Sequence, residues 1–202
     1  GWIEGVIQAQ AFIKAGMAKK CLVIGSETLS RVVDKHDRDS MIFADGAGAT
    51  IVQAEESFEE YGIIAHTTKN YASFSDLIYN KGSYKKDYEN KDHNFIHMKG
   101  RNVYGFAVKH VPIVVKELIT RAGLELNDIS KILIHQANEK MDYAIGERLY
   151  KIYGKTTDDF KNDFPSIMPM IISWLGNSSV ATIPTLLDLI MKGKIPEHQF
   201  KK

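Results

Sequence analysis

The run Lys131-Ile132-Leu133-Ile134-His135-Gln136-Ala137-Asn138 turns from apolar to polar in a single step, and that step decides the fold class. Three branched apolar residues in a row predict a buried strand over 131–135. An amphipathic helix is predicted over Glu139 to Tyr150. A polar cluster at the carboxyl end of a buried strand, before a helix, is where open α/β sheets place ligand chemistry. The plainer reading is a histidine that caps the next helix, and position alone does not separate the two. Outward from this point the alternation continues. Val103 to Ala122 has helical periodicity, with Pro112 inside it and Gly123 closing it. Ser166 to Ser173 reads as a strand or extended segment, and Ala181 to Met191 as an apolar helix ending at Gly193. Toward the N-terminus, Trp2, Val6, Ala9 and Ile13 recur at helical steps before Gly16, a C-cap glycine by position. Cys21 to Gly25 reads as a buried parallel strand, Glu27 to Ser40 as a loop, and Thr50-Ile51-Val52 and Gly62 to Thr67 as strands. Glu55 to Tyr61 is an acidic surface connection, and Lys69 to Asn94 a long polar excursion without a period. Strands alternating with helices make the class α/β.

The 202 residues are 44% apolar and 25% charged, the balance of a globular protein. Lys plus Arg is 26 and Asp plus Glu 25, a net charge of +1 that removes the electrostatic motive for binding nucleic acid. One cysteine can form no internal disulfide, which excludes a disulfide-stapled scaffold and makes a reducing cytoplasm the simplest location. No uninterrupted apolar run approaches the roughly 20 residues that cross a bilayer. The chain opens on Gly1-Trp2 inside a helical pattern, without an initiator Met, and stops at Phe200-Lys201-Lys202. It is therefore expected to be a piece of a larger protein.

Gly176-Asn177-Ser178-Ser179 is a second polar constellation, between an apolar stretch and an apolar helix, where N–H groups and the helix dipole favour negative charge. Taken alone, it is better accounted for by N-capping through Asn or Ser. Ala44-Asp45-Gly46-Ala47-Gly48-Ala49 is glycine-rich but opens a strand, so the dinucleotide fingerprint fails. His93 and His97 are four apart but lack a further ligand at metal spacing, so no metal is expected. Lys81, Lys85, Lys86 and Lys91 are balanced by Asp87, Glu89 and Asp92 and read as a solvated loop, and Cys21 as a buried structural thiol.

Together the leading Gly-aromatic helix, Ala44-Asp45-Gly46-Ala47-Gly48-Ala49, His135-Gln136-Ala137-Asn138, and Gly176-Asn177-Ser178-Ser179-Val180-Ala181-Thr182 resemble the beta-ketoacyl-acyl carrier protein synthase III family. The resemblance runs over nearly the whole chain. It implies a truncated thiolase-like fold, mixed sheets layered with helices. Residues 1–60 correspond to the C-terminal part of the first half, and residues 61–202 to the second half without its last strands, which carry a glycine-rich turn of the oxyanion hole.

The resemblance implies a fatty-acid condensing acyltransferase: decarboxylative Claisen condensation of an acyl-coenzyme A starter with malonyl-acyl carrier protein. The family works with a Cys-His-Asn set. His135 and Asn177 match the histidine and asparagine, and the cysteine falls two residues before the glycine that Gly1 matches. The chain alone is thus expected to be inactive. Two neutral donors, a histidine N–H and an asparagine amide, would hold the enolate of the decarboxylated malonyl thioester. Arg38 matches an arginine stacked on the adenine of coenzyme A. Gly100, Ala137 and Asn138 match positions along the pantetheine tunnel, where Tyr104 replaces a phenylalanine. Coenzyme A thioesters are substrates, and no cofactor is permanently bound. Lys140, Arg148 and Lys151 are possible contacts for acyl carrier protein, with a solvated helix face as the rival reading. The family is homodimeric. A related polyketide or secondary-metabolite ketosynthase, or a non-catalytic binding fragment, are the alternatives.

Overall fold

A computed structural model describes residues 1–58 and 61–200. The expected boundary near residue 60, part of the Glu55–Tyr61 connection and the closing lysines lie outside the described residues. Helix α1 (Trp2–Lys14) ends just before Gly16, whose φ of 71° gives the reversal that the periodicity predicted. The chain then enters β1 (Lys20–Glu27), which pairs with β2 (Gly46–Gln53) from Lys20↔Gln53 to Glu27↔Gly46. The pairing is antiparallel, a correction to the parallel strand read from the continuous apolar run. Such a run suggests cover on both faces. Here Val23 is buried toward α1, while Leu22 and Ile24 stay 63% and 59% exposed on the other face.

Glycines in β2 let the next layer come close. A Cβ at Gly48 would lie 2.8 Å from Pro184 Cβ, and one at Gly46 would lie 2.9 Å from Ser178 Cβ. The first turn of α6 (Thr182–Met191) and the loop before it therefore rest directly on the strand.

The polar excursion contains structure that its composition concealed. β3 (Ile78–Lys81) pairs antiparallel with β4 (Phe95–Met98). Four-residue strands are too short to show a period among so many polar neighbours, although Phe95 and His97 alternate inward. Gly62 to Thr67, expected as a strand, belongs to no ladder among the described residues. Its recorded tie is the Gln10 side chain, whose Nε2 donates to the Ile63 carbonyl at 2.6 Å.

Helix α2 (Gly100–Arg121) starts three residues before the predicted Val103 and carries Pro112 within it. It packs on α3 (Glu139–Ile152), which packs on α4 (Thr157–Ile167). Leu149, Tyr150, Phe160 and Met168 form the centre of this core, none more than 2% exposed. The periodicity reading missed α4, although Thr156 and Asp159 form a capping box and Phe160, Phe164 and Ile167 share a face.

Residues 131–135 form no strand among the described residues, a correction to the buried strand that their apolar run predicts. A ladder needs a neighbour, and the segment beside them offers little: Ile132 N–H donates to the Ile167 carbonyl at 2.8 Å. That segment, expected as a strand or extended stretch over Ser166 to Ser173, is the end of α4, a short linker and the single turn α5 (Ile172–Leu175).

Candidate active site

Asn177 is pinned by its backbone. Its N–H donates to the Ile42 carbonyl at 2.9 Å, and its carbonyl accepts from Ala44 N–H at 2.8 Å. The residue is 4% exposed. Two residues on, Ser179 adopts φ 49°, the left-handed region that a non-glycine residue occupies only when its surroundings hold it there. That conformation serves two side chains. Ser179 N–H donates to Asn177 Oδ1 at 2.9 Å, and the Ser179 carbonyl accepts from His135 Nδ1 at 3.0 Å. Asn177 is thus the acceptor of a local turn and caps no helix; α6 begins later, at Thr182.

These bonds fix the chemistry of both groups. A carbonyl only accepts, so the His135 proton sits on Nδ1 and Nε2 carries a lone pair. Burial holds the His135 pKa below the usual histidine value, partly offset by the Ser179 bond, so the ring is neutral near pH 7. Asn177 Oδ1 is occupied, which leaves its Nδ2 as donor. The pair therefore presents one proton acceptor and one donor, where two neutral donors were expected. A neutral ring donates from one nitrogen only, and here that nitrogen is committed. His135 lines a cavity of about 250 Å³ with Gly1, Trp2, Ile3, Val180 and Ile183.

A second cleft of about 260 Å³ opens beside Gly176. Ala137 and Asn138 line it with Met41 and Ile42. Asn138 Oδ1 accepts from Met141 N–H at 3.2 Å, so this side chain is also the N-cap of α3. Arg38 opens the 3₁₀ turn Arg38–Ile42 with its side chain 93% exposed. Gly100 sits against that turn, where a Cβ would lie 3.3 Å from Asp39 Oδ2. Tyr104, one turn along α2, is 40% exposed. Lys140, Arg148 and Lys151 are exposed on α3, but Lys151 is tied to Glu147 at 2.8 Å. Cys21 is half-buried, its thiol 3.9 Å from the Ala9 carbonyl. It lies four residues along β1 from Gly25, itself against the Val180 carbonyl; that is about 13 Å of strand from the His135 cavity.

Gln136 gained no role from the sequence, yet it is fully buried and braces the site. Its Nε2 donates to the Pro169 carbonyl at 2.8 Å, and its Oδ-equivalent oxygen, Oε1, accepts from Ile171 and Ile172 N–H at 2.8 and 2.9 Å. The linker facing Ala137 and Asn138 is thereby fixed. Its place in the polar run directly after Ile132-Leu133-Ile134 was the available signal.

A family model described as 3-Oxoacyl-[acyl-carrier-protein (ACP)] synthase III matches residues 1–71. The beta-ketoacyl-[acyl-carrier-protein] synthase III of Prochlorococcus marinus strain MIT 9515 is 33% identical over 200 residues, 96% of this chain and 56% of that protein. The chain belongs to the synthase III family. The synthase III of Ehrlichia chaffeensis is 32% identical over 98% of the chain and 58% of its own length. Among solved structures, the synthase III of Thermus thermophilus superposes with a TM-score of 0.78 at 30% identity, over 96% of this chain and 57% of that one. That of Pseudomonas aeruginosa gives 0.78 at 26% identity, over 96% and 56%. The fold is thiolase-like, as the resemblance implied, and the chain spans a little over half the length of these synthase III relatives. Among the described residues no helix is long and apolar enough to cross a membrane.

Proposed function

We propose that His135 and Asn177 serve the decarboxylative condensation of an acyl-coenzyme A starter with malonyl-acyl carrier protein, the reaction to which the synthase III resemblance points. The observation that carries this reading is Ser179, whose carbonyl and N–H leave His135 Nε2 bare and the Asn177 amide N–H free on one turn. The family's cysteine, two residues ahead of the glycine matched by Gly1, supplies the nucleophile, and Gly1 lines the His135 cavity.

In the first half-reaction the cysteine gives its proton to His135 Nε2 and attacks the acyl thioester carbonyl. Coenzyme A leaves as thiolate and takes a proton from solvent. His135, now an imidazolium, donates Nε2–H beside Asn177 Nδ2–H to the malonyl thioester oxygen. The carboxylate departs as carbon dioxide and leaves its electron pair in the enolate, which attacks the acyl-cysteine carbonyl. The expelled cysteine thiolate recovers the proton from His135. Arg38 takes the adenine, the cleft of Ala137 and Asn138 with Gly100 and Tyr104 the pantetheine arm, and Lys140 and Arg148 the acidic carrier protein.

A split assay on the protein bearing the cysteine tests the roles. Asn177→Asp replaces a donor by an acceptor and is expected to lower carbon dioxide release by about 10²–10³-fold or more while labelled acyl-enzyme still forms. His135→Phe is expected to impair both. Acylation lost with decarboxylation intact in Asn177→Asp overturns the assignment.

A further inference from the structure

His97, one of the two histidines that suggested no metal, has no part in this chemistry. It is 1% exposed on β4, with its ring packed against Tyr79 and Tyr84. Its Nδ1 lies 3.1 Å from Asp37 Oδ2, and its Nε2 3.1 Å from the Gly82 carbonyl. Carboxylate and carbonyl both accept, so the two bonds form together only on a ring carrying two protons. The other oxygen of Asp37, Oδ1, accepts from Asp39 N–H at 2.9 Å and caps the 3₁₀ turn that begins at Arg38. One carboxylate thus joins a buried ring on β4 to the turn that carries Arg38. Asp34 reinforces the tie, accepting from Ser83 Oγ at 3.0 Å and Tyr84 N–H at 2.6 Å. The Arg38 guanidinium comes no nearer than 4.0 Å to Asp39 and is open to solvent. Its aim is set by the turn and not by an ion pair.

We propose that His97 is a positioning residue which, through Asp37, fixes the Arg38 turn and so sets the grip on the nucleotide end of a coenzyme A donor, leaving the grip on its pantetheine arm untouched. This rests on reading Arg38 as the adenine contact. A guanidinium stacks well only if its backbone is held, because an unfixed turn spends the contact on ordering itself.

Titration calorimetry of the full chain with coenzyme A, and separately with 4′-phosphopantetheine, which lacks the adenosine, tests the link. Asparagine can keep a donor at the Nδ1 position and glutamine one at the Nε2 position. The wild-type chain is expected to bind coenzyme A more tightly than 4′-phosphopantetheine. Arg38→Ala should weaken coenzyme A alone, by about 2- to 30-fold. His97→Gln, which loses the Asp37 bond, should weaken coenzyme A alone by about 3- to 10-fold and add nothing in the Arg38→Ala background, whereas His97→Asn should stay within about twofold of wild type. Asp37→Ala reads the same link from the less buried partner should His97→Gln fail to fold. Equal losses for Asn and Gln, or for both ligands, show that His97 is only a core residue and overturn the proposal. Selective loss in Arg38→Ala with none in His97→Gln also overturns it while sparing the Arg38 reading. An unselective Arg38→Ala, or a wild-type chain without preference, removes that reading and the proposal with it.

Discussion

The α2–α3–α4 end and the β1–β2 end of the molecule bury their apolar residues in different ways. Phe160 is fully buried with Tyr143, Tyr150 and Phe164 edge-on around it, and Leu149 and Met168 complete the cluster. The sheet is covered on one face by α1 and α6. On its other face Leu22 and Ile51, directly paired across the strands, are 63% and 66% exposed. Helix packing closes a core locally, because three neighbours in sequence surround one another. A two-stranded ribbon has a second face that its own chain segment does not reach. The difference separates where stability resides from where apolar sequence lies.

Phe160→Ala should give the largest effect. Removing a ring from a close-packed site costs about 3–5 kcal/mol, read as a lowered denaturant midpoint at unchanged m. A loss below about 1 kcal/mol would show that the helical end does not carry the fold.

Asp142 sharpens the contrast from within that same end. It is fully buried on α3, and neither carboxylate oxygen has a hydrogen-bond partner among the described residues. Burial first, and then the charge of Glu139, push its pKa up to about 7. The native state therefore keeps a proton that the unfolded chain releases near pH 4. The sign follows: stability from this group is full below about pH 4, declines as pH rises, and is gone above about pH 7, a change on the order of 4 kcal/mol. Asp142→Leu should flatten this slope and raise the unfolding midpoint at pH 8. Unfolding curves for the variant that stay parallel to wild type from pH 4 to 8 would refute the assignment.

The smallest effect belongs to the open sheet face. Leu22→Ala and Ile51→Ala should each change stability by no more than about 0.5 kcal/mol, since little area leaves water there. A cost of 2 kcal/mol or more by the same denaturant titration would mean that the face is covered in solution.

The same contrast explains what could be read beforehand. Helices α1, α2 and α3 announced themselves because a 3.6-residue period survives over a dozen residues. Strand direction did not, since Cys21 to Gly25 looks alike whether its partner runs parallel or antiparallel, and 131–135 has a strand's composition without a strand's neighbour. His135 and Asn177 were legible as polar residues breaking apolar runs. The tautomer of His135 was not, because it depends on a main-chain carbonyl in a left-handed residue 44 positions away. The Asp37–His97 pair was hidden likewise, 60 residues apart and joined only by packing.

Ser179 has a consequence for how such a site can change over generations. Its N–H orients an amide and its carbonyl assigns a ring proton, and the two peptide planes that carry them meet at one α-carbon, so a change in the φ or ψ of this residue moves one against the other. A sequence change that relaxes the left-handed conformation of Ser179 is therefore expected to disturb the hold on His135 and on Asn177 together.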